Sequence, residues 1–289
     1  GQQAMVALLL ERGARVNARD ATGRTPLLYA AKEKHAAIAR TLILVGTDID
    51  VADRHGTTAL MLAARNGDMP LLHTLLQAGA NMEQQDRRGF TSLLGAAYGG
   101  HQEALQALLK QDADANAADT KGRTALMWAT LRGHVDSLET LLAYGADIHA
   151  TDRQGTTALM LGLGRTATAD ALLAAGASVE HRDVRGFTAL MITAWTGRVE
   201  TARRLLDHGA IADDRDTREG RTALMWAALK GHPAVVKLLL EHGANPTLQD
   251  NSGQTAEMLA AKNRHTGVVK ILQETAPALP NPDPDPEHR

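Results

Sequence analysis

Apolar residues in this chain come in paired bursts, each with the spacing of one helix face. Thr124-Ala-Leu-Met-Trp-Ala129 is short and almost wholly apolar. It predicts a brief buried helix with Thr124 as its N-cap. Gly133-His134 breaks that helix, and Val135, Leu138, Leu141 and Leu142 then mark a second one. Gly145-Ala146 ends it, because glycine suits the left-handed position just past a helix C-terminus. Before each first helix stands Asp-x-x-Gly, as in Asp53-Arg-His-Gly56. In such a turn Asp bonds its own backbone and Gly takes a positive φ. The predicted order is turn, helix, break, helix, loop.

The unit recurs eight times. Its Thr falls at Thr25, Thr58, Thr91, Thr124, Thr157, Thr188, Thr222 and Thr255, in steps of 33, 33, 33, 33, 31, 34 and 33 residues. The closing dipeptide keeps the same beat, from Gly13-Ala14 to Gly243-Ala244, with Asp112-Ala113 as its one acidic copy. A fixed period of this length predicts a solenoid, in which each unit packs on its neighbours and 289 residues need not divide into ordinary domains.

The period, Thr25-Pro-Leu-Leu-Tyr-Ala30, the Gly-His breaks and the Leu-Leu…Gly-Ala endings resemble ankyrin repeats over about residues 4–275. The resemblance implies an all-α solenoid of stacked antiparallel helix pairs with projecting hairpin-like loops. It also implies a concave binding surface made of loops and first helices. The expected layout is a single solenoid, 1–275, with a half repeat at 1–19 and repeats starting at 20, 53, 86, 119, 152, 183, 216 and 250. A Pro-rich acidic tail, 276–289, follows. It is predicted to be non-helical, because proline at alternate positions removes backbone donors. The Thr-Ala-Leu-Met wording resembles bacterial members of the family.

Departures from the family pattern carry expectations of their own. The family's His of T-P-L-H is replaced throughout by Leu28, Met61, Leu94, Met127, Met160, Met191, Met225 and Met258. The His brace to the hairpin should be missing, with an apolar ladder in its place. Repeat five is two residues short, and its first helix contains Gly162 and Gly164, each costing up to about 1 kcal/mol in a helix interior. The loop from Gly209 to Gly220 holds one extra residue. A local break in curvature is expected around repeats five to seven.

Composition narrows the function. The chain is 44% hydrophobic and 22% charged, as a folded protein is. It has no cysteine, so thiolate metal sites and cysteine nucleophiles are excluded. No apolar run reaches the roughly 18 residues of a membrane span. The chain opens at Gly1 in mid-repeat, which implies that an N-terminal piece is missing, with any signal peptide it held. The compartment therefore stays open between bacterial cytoplasm and periplasm. Gly162-Leu-Gly164 lacks the strand and spacing of a phosphate loop, and no serine elbow is present. The twelve histidines fall mostly in helix-break and helix-end slots, not at zinc-helix spacing. The eight repeat-opening Asp residues read as turn formers. No catalytic, cofactor or metal residue is therefore expected, and no small-molecule substrate.

The variable contact positions implied by the family, around the turn and at the end of the first helix, hold fifteen basic residues. They are Arg24, Lys32, Arg54, Arg65, Arg87, Arg88, Lys121, Arg123, Arg132, Arg153, Arg185, Arg218, Arg221, Lys230 and Lys262. Two acidic residues, Glu33 and Glu219, join them. Counting the eight turn Asp residues as well leaves +5 on this side of a chain whose net charge is −2. A groove of one sign steers a partner of the other. Four of the eight aromatics share these positions: Phe90 and Tyr98 in repeat three, Phe187 and Trp195 in repeat six. Tyr and Trp beside Arg is the composition of interface hot spots. The alternative is that Phe90 and Phe187 pack inside their loops. Tyr29, Trp128 and Trp226 share another slot and read as core or groove floor.

The expected partner-binding set is Arg54, Arg65, Arg87, Arg88, Phe90, Tyr98, Lys121, Arg123, Arg132, Arg153, Arg185, Phe187, Trp195, Arg218, Arg221 and Lys230. The expected function is non-catalytic binding of a protein with an acidic face by a chain that is monomeric when unbound. A more specific version is an inhibitor or immunity protein for an enzyme or toxin. The alternative is a scaffold or adaptor bridging two proteins. The net charge and the absence of dense Lys/Arg runs argue against nucleic acid.

Overall fold

The computed structural model describes residues 2–275. The tail at 276–289, expected to be non-helical, lies outside the described residues. Contacts divide the chain into two compact units, Gly1–Ala177 and Ser178–Arg289. Among the described residues the elements are helices, with two isolated β-bridges, Ala118 to Thr124 and Thr151 to Thr157.

The first unit opens with α1 (Gln3–Glu11) and continues in five pairs. These are α2 (Pro26–Lys32) with α3 (Ala36–Leu44), α4 (Ala59–Asn66) with α5 (Met69–Gln77), α6 (Ser92–Gly99) with α7 (Gln102–Leu109), α8 (Ala125–Arg132) with α9 (Val135–Ala143), and α10 (Ala158–Gly162) with α11 (Thr166–Ala174). The second unit holds three pairs: α12 (Ala189–Thr196) with α13 (Val199–Asp207), α14 (Ala223–Lys230) with α15 (Pro233–Glu241), and α16 (Ala256–Lys262) with α17 (Thr266–Thr275). Only two or three residues join the members of a pair, so each pair folds back on itself. Within each unit, first helices pack on first helices and second on second, giving two layers.

Local chemistry sets the boundaries. Every repeat Thr caps its helix: Thr58 Oγ1 accepts the Met61 amide at 3.3 Å, and the other seven do the same at 3.3–3.4 Å. The turn Asp works as its position predicts. Asp53 Oδ1 accepts the amides of His55 and Thr57 at 2.8 and 3.0 Å, and the Asp53 amide closes the turn on the Thr57 carbonyl at 3.1 Å. Successive turns in the first unit are then tied tip to tip. The amides of Arg54, Arg87, Thr120 and Arg153 donate to the carbonyls of Thr22, His55, Arg88 and Lys121. In the second unit the Asn251 amide reaches the Glu219 carbonyl in the same way.

The break between helices couples neighbours too. Gly67 sits at φ 67°, and a β-carbon there would fall 2.5 Å from Nδ1 of His101, the break-slot histidine of the next repeat. His134, His232 and His265 lie against Gly100, Gly197 and Gly231 in the same manner. The ring nitrogens of His232 and His265 also meet the carbonyls of Trp195 and Leu229, each at 3.1 Å. The Gly-His pair is therefore a seam between repeats as well as a helix break.

The Leu/Met row is buried from Leu28 to Met160 in the first unit and at Met191 and Met225 in the second, while Met258 is exposed. Repeat five shows where its missing residues went. Helix α10 has five residues and ends at Leu163 in a right-handed conformation. Gly162 is more than a loss of helix propensity. A β-carbon at Gly162 would meet Thr130 Cγ2 at 2.8 Å, so its bareness lets α10 close on α8. In repeat seven the extra residue stretches the turn: Asp216 Oδ1 accepts from Arg218 and Glu219, and Oδ2 from Arg221.

Two opposite stability changes follow. Gly67→Ala forces an L residue into the left-handed region and into the His101 ring. It should cost about 1–2 kcal/mol, read as a lower unfolding midpoint in urea. Arg264, exposed at φ 62° in the corresponding break of the last repeat, is the reverse case. Arg264→Gly should gain about 1 kcal/mol in the same assay.

Candidate functional site

Each unit contains one cluster of three aromatic rings, built from the same slots of two consecutive repeats. In the first unit Phe90 comes from the residue before a capping Thr, Tyr98 from the end of α6, and Trp128 from the first turn of α8. Their centroids lie 5.3 Å (Phe90–Trp128), 5.4 Å (Tyr98–Trp128) and 6.3 Å (Phe90–Tyr98) apart, tilted or edge to face. In the second unit Phe187, Trp195 and Trp226 repeat the arrangement, at 5.2 Å (Phe187–Trp226), 4.8 Å (Trp195–Trp226) and 6.3 Å (Phe187–Trp195). Such geometries are the favoured ones for ring quadrupoles.

A cation stands over every ring. Arg88 lies 4.7 Å from the Phe90 centroid, Arg123 5.2 Å from Trp128 and Arg132 4.6 Å from Tyr98. Arg185, Arg221 and Lys230 take the same roles over Phe187, Trp226 and Trp195, at 4.7, 4.9 and 3.8 Å. The floor of each cluster is clasped to its turn. Trp128 Nε1 donates to Asp119 Oδ2, and Trp226 Nε1 to Asp216 Oδ2, each at 3.1 Å. Repeat one holds a third copy of this clasp, Tyr29 Oη to Asp20 Oδ2 at 2.7 Å. That phenol holds the Asp20 carboxyl well below the usual carboxylate range, and the carboxylate pushes the Tyr29 hydroxyl up.

Phe90, Phe187 and Trp226 are buried, Tyr98 and Trp128 half-buried, whereas Trp195 is exposed, so the two Phe rings pack inside, as the alternative reading had it. The clusters open into clefts. The first unit's cleft, of about 530 Å³, brings together the expected residues Arg65, Arg88, Phe90, Tyr98, Lys121, Arg123 and Arg132 with Trp128 and Asp119. A neighbouring cleft in the same unit shares Arg65 and Arg88 and adds Arg24, Lys32 and Arg87, so one basic strip runs across both. The second unit's cleft, of about 200 Å³, gathers Arg185, Phe187, Trp195, Arg218 and Trp226 with Asp216 and Glu219. Arg54, Arg153, Arg221 and Lys230 line none of these; Arg54 and Arg153 are exposed on turns, while Arg221 and Lys230 stand over the rings of the second cluster.

Much of the basic charge is internally matched. Arg24 pairs with Asp53 at 3.6 Å, Arg88 with Asp86 at 3.3 Å, Arg123 with Asp152 at 4.0 Å and Arg185 with Asp183 at 2.7 Å. Arg221 pairs with Glu219 and, at 3.0 Å, with Asp250. Burial alone would raise the Asp250 carboxyl, but the Gln254 amide and the Arg221 guanidinium lower it below the usual range. Arg65, Arg87, Lys121 and Arg132 form no ion pair with a described residue. Among the described residues no group of three His, Asp or Glu side chains is placed to hold a metal, and no helix is long and apolar enough to cross a membrane.

Trp128 and Trp226 are what the sequence reading left out of the site. Each belongs to the repeat after its Phe and completes the ring cluster from across the stack. The signal was present in the spacing: only where a repeat carries Phe before its Thr does the next carry Trp four residues after its own.

The family model described as "Ankyrin repeats (3 copies)" matches residues 1–86, 60–152, 93–183, 145–216, 161–250 and 211–285. No curated protein matches the chain. With overlapping matches from end to end, and a helix-pair stack in each unit, the chain belongs to the ankyrin repeat family, whose repeats are protein–protein interaction modules.

Proposed function

We propose that this protein is a non-catalytic binder of a protein partner with an acidic face, and that it acts as an inhibitor or immunity protein by covering that partner. It is monomeric until the partner arrives. The observation that carries the reading is the paired aromatic–basic cluster. The same six slots hold three rings and three cations in each unit, at the turn and helix-end positions through which repeats of this kind meet partners. Aromatic rings with arginine in partly buried clefts are where interface energy concentrates. The unmatched cations Arg65, Arg87 and Lys121 add long-range attraction for an acidic surface.

The second reading, a scaffold bridging two proteins, draws on the chemical difference between the clefts. The first is strongly basic, while the second balances Arg185 and Arg218 against Asp216 and Glu219.

Both readings have direct tests. Arg65→Glu with Arg87→Glu and Lys121→Glu should abolish capture of a co-purifying protein that the wild-type bait retains at low salt and releases as salt rises. Equal recovery by the variant would remove the basic strip from the contact. Trp195→Ala should weaken the same complex about tenfold, measured by calorimetry once the partner is in hand. Native mass measurement separates the two functions: covering yields a binary complex, bridging a ternary one.

A further inference from the structure

The first unit's cleft has a finer assignment, which rests on the acidic-partner reading above. We infer that Arg65, Lys121 and Arg132 read the carboxylates of an acidic segment, and that Tyr98 of the Phe90–Tyr98–Trp128 cluster holds Arg132 in place for them.

Unmatched charge is the first ground. The cations lining this cleft outnumber its acids five to one. Arg88 and Arg123 are answered by Asp86 and Asp152. Asp119, the one acid, is fully engaged: Oδ1 accepts the amides of Lys121 and Arg123, and Oδ2 accepts the Trp128 indole. That leaves three exposed cations with no carboxylate among the described residues and no free acid beside them. The second unit's cleft lacks this excess. Its lining sets two cations, Arg185 and Arg218, against two acids, Asp216 and Glu219, and Arg185 is also paired with Asp183.

Stacking geometry is the second ground. A guanidinium over a ring spends its face on the ring and keeps its N–H donors in the plane. Arg132 lies 4.6 Å from the Tyr98 centroid, so its fork is held while its donors stay available. A side chain already ordered loses less entropy on binding, and a carboxylate can accept two parallel N–H bonds from it. Each of the three rings already carries an arginine over one face and lies 5.3–6.3 Å from the other two. A flat ligand stacking on that face would have to displace the arginine, whereas a carboxylate uses what it presents.

The test is titration of an acetylated, amidated hexaglutamate peptide into the full chain at low salt, followed by calorimetry. Wild type should bind it. Arg132→Gln and Tyr98→Leu should each weaken binding about tenfold, whereas Tyr98→Phe, which keeps the ring, should stay within about twofold. Arg40→Gln, an exposed arginine on α3 in the second-helix layer and away from both clefts, should leave the affinity unchanged. Melting curves identify any variant that misfolds, and the Tyr98→Phe and Arg132→Gln pair decides the matter if Tyr98→Leu does. Equal weakening by Arg132→Gln and Arg40→Gln would mean diffuse charge attraction; it overturns the inference and leaves the acidic-partner reading standing. Wild-type affinity in a folded Tyr98→Leu overturns the holding role of the ring. Failure of wild type to bind the peptide overturns the acidic-partner reading, and the inference with it.

Discussion

Each repeat is pinned by the carboxylate of its first Asp, and the contact surface depends on that same group. One oxygen accepts two amides of its own turn, as at Asp53, Asp86, Asp119 and Asp152, which sets the turn without any strand pairing. The other oxygen is then directed at its neighbours. It meets an arginine of the preceding repeat at Asp53, Asp152 and Asp250, and an indole of its own first helix at Asp119 and Asp216. A carboxylate this enclosed is tolerable because one oxygen is held by two amides and the other faces an indole or a guanidinium. Scaffold and site share one anchor: removing Asp119 would release the turn and the Trp128 ring together.

The aromatic clusters follow from that anchoring. Trp128 and Trp226 are tied to their turns, each Nε1 donating to a carboxylate oxygen 3.1 Å away, and they present their rings to the Phe and Tyr or Trp of the preceding repeat. The rings in turn order the arginines above them. The two clusters differ in charge for a local reason. One inserted residue in the turn of repeat seven places Glu219 against Arg221, whereas the shorter turn of repeat four offers no acid to Lys121 or Arg132.

Irregular repeats are accommodated by bare backbone. Gly162 lets the five-residue α10 close on α8, where a β-carbon would strike Thr130. Arg165 follows it in the break slot and occupies the place next to Gly133 that a histidine ring takes elsewhere. The cost of glycine in a short helix is thus offset by close approach between helices. That is a packing property, and no helix propensity contains it.

The sequence by itself determined the all-α repeat, its period, the Thr caps, the Asp turns and the Gly-His breaks. Each of these is a local preference of a few residues and shows as a recurring letter. It also marked the strip of arginines and the Phe, Tyr and Trp residues at contact slots. Only the tertiary structure decided which of them meet. Trp128 joins Phe90 from a different repeat, Asp152 and Asp250 neutralise Arg123 and Arg221 across the stack, and Arg65, Lys121 and Arg132 are left unmatched. Such pairings run between residues about a repeat apart in sequence. They depend on how neighbouring helix pairs stack, which sets distances of a few ångströms that the one-dimensional pattern does not carry.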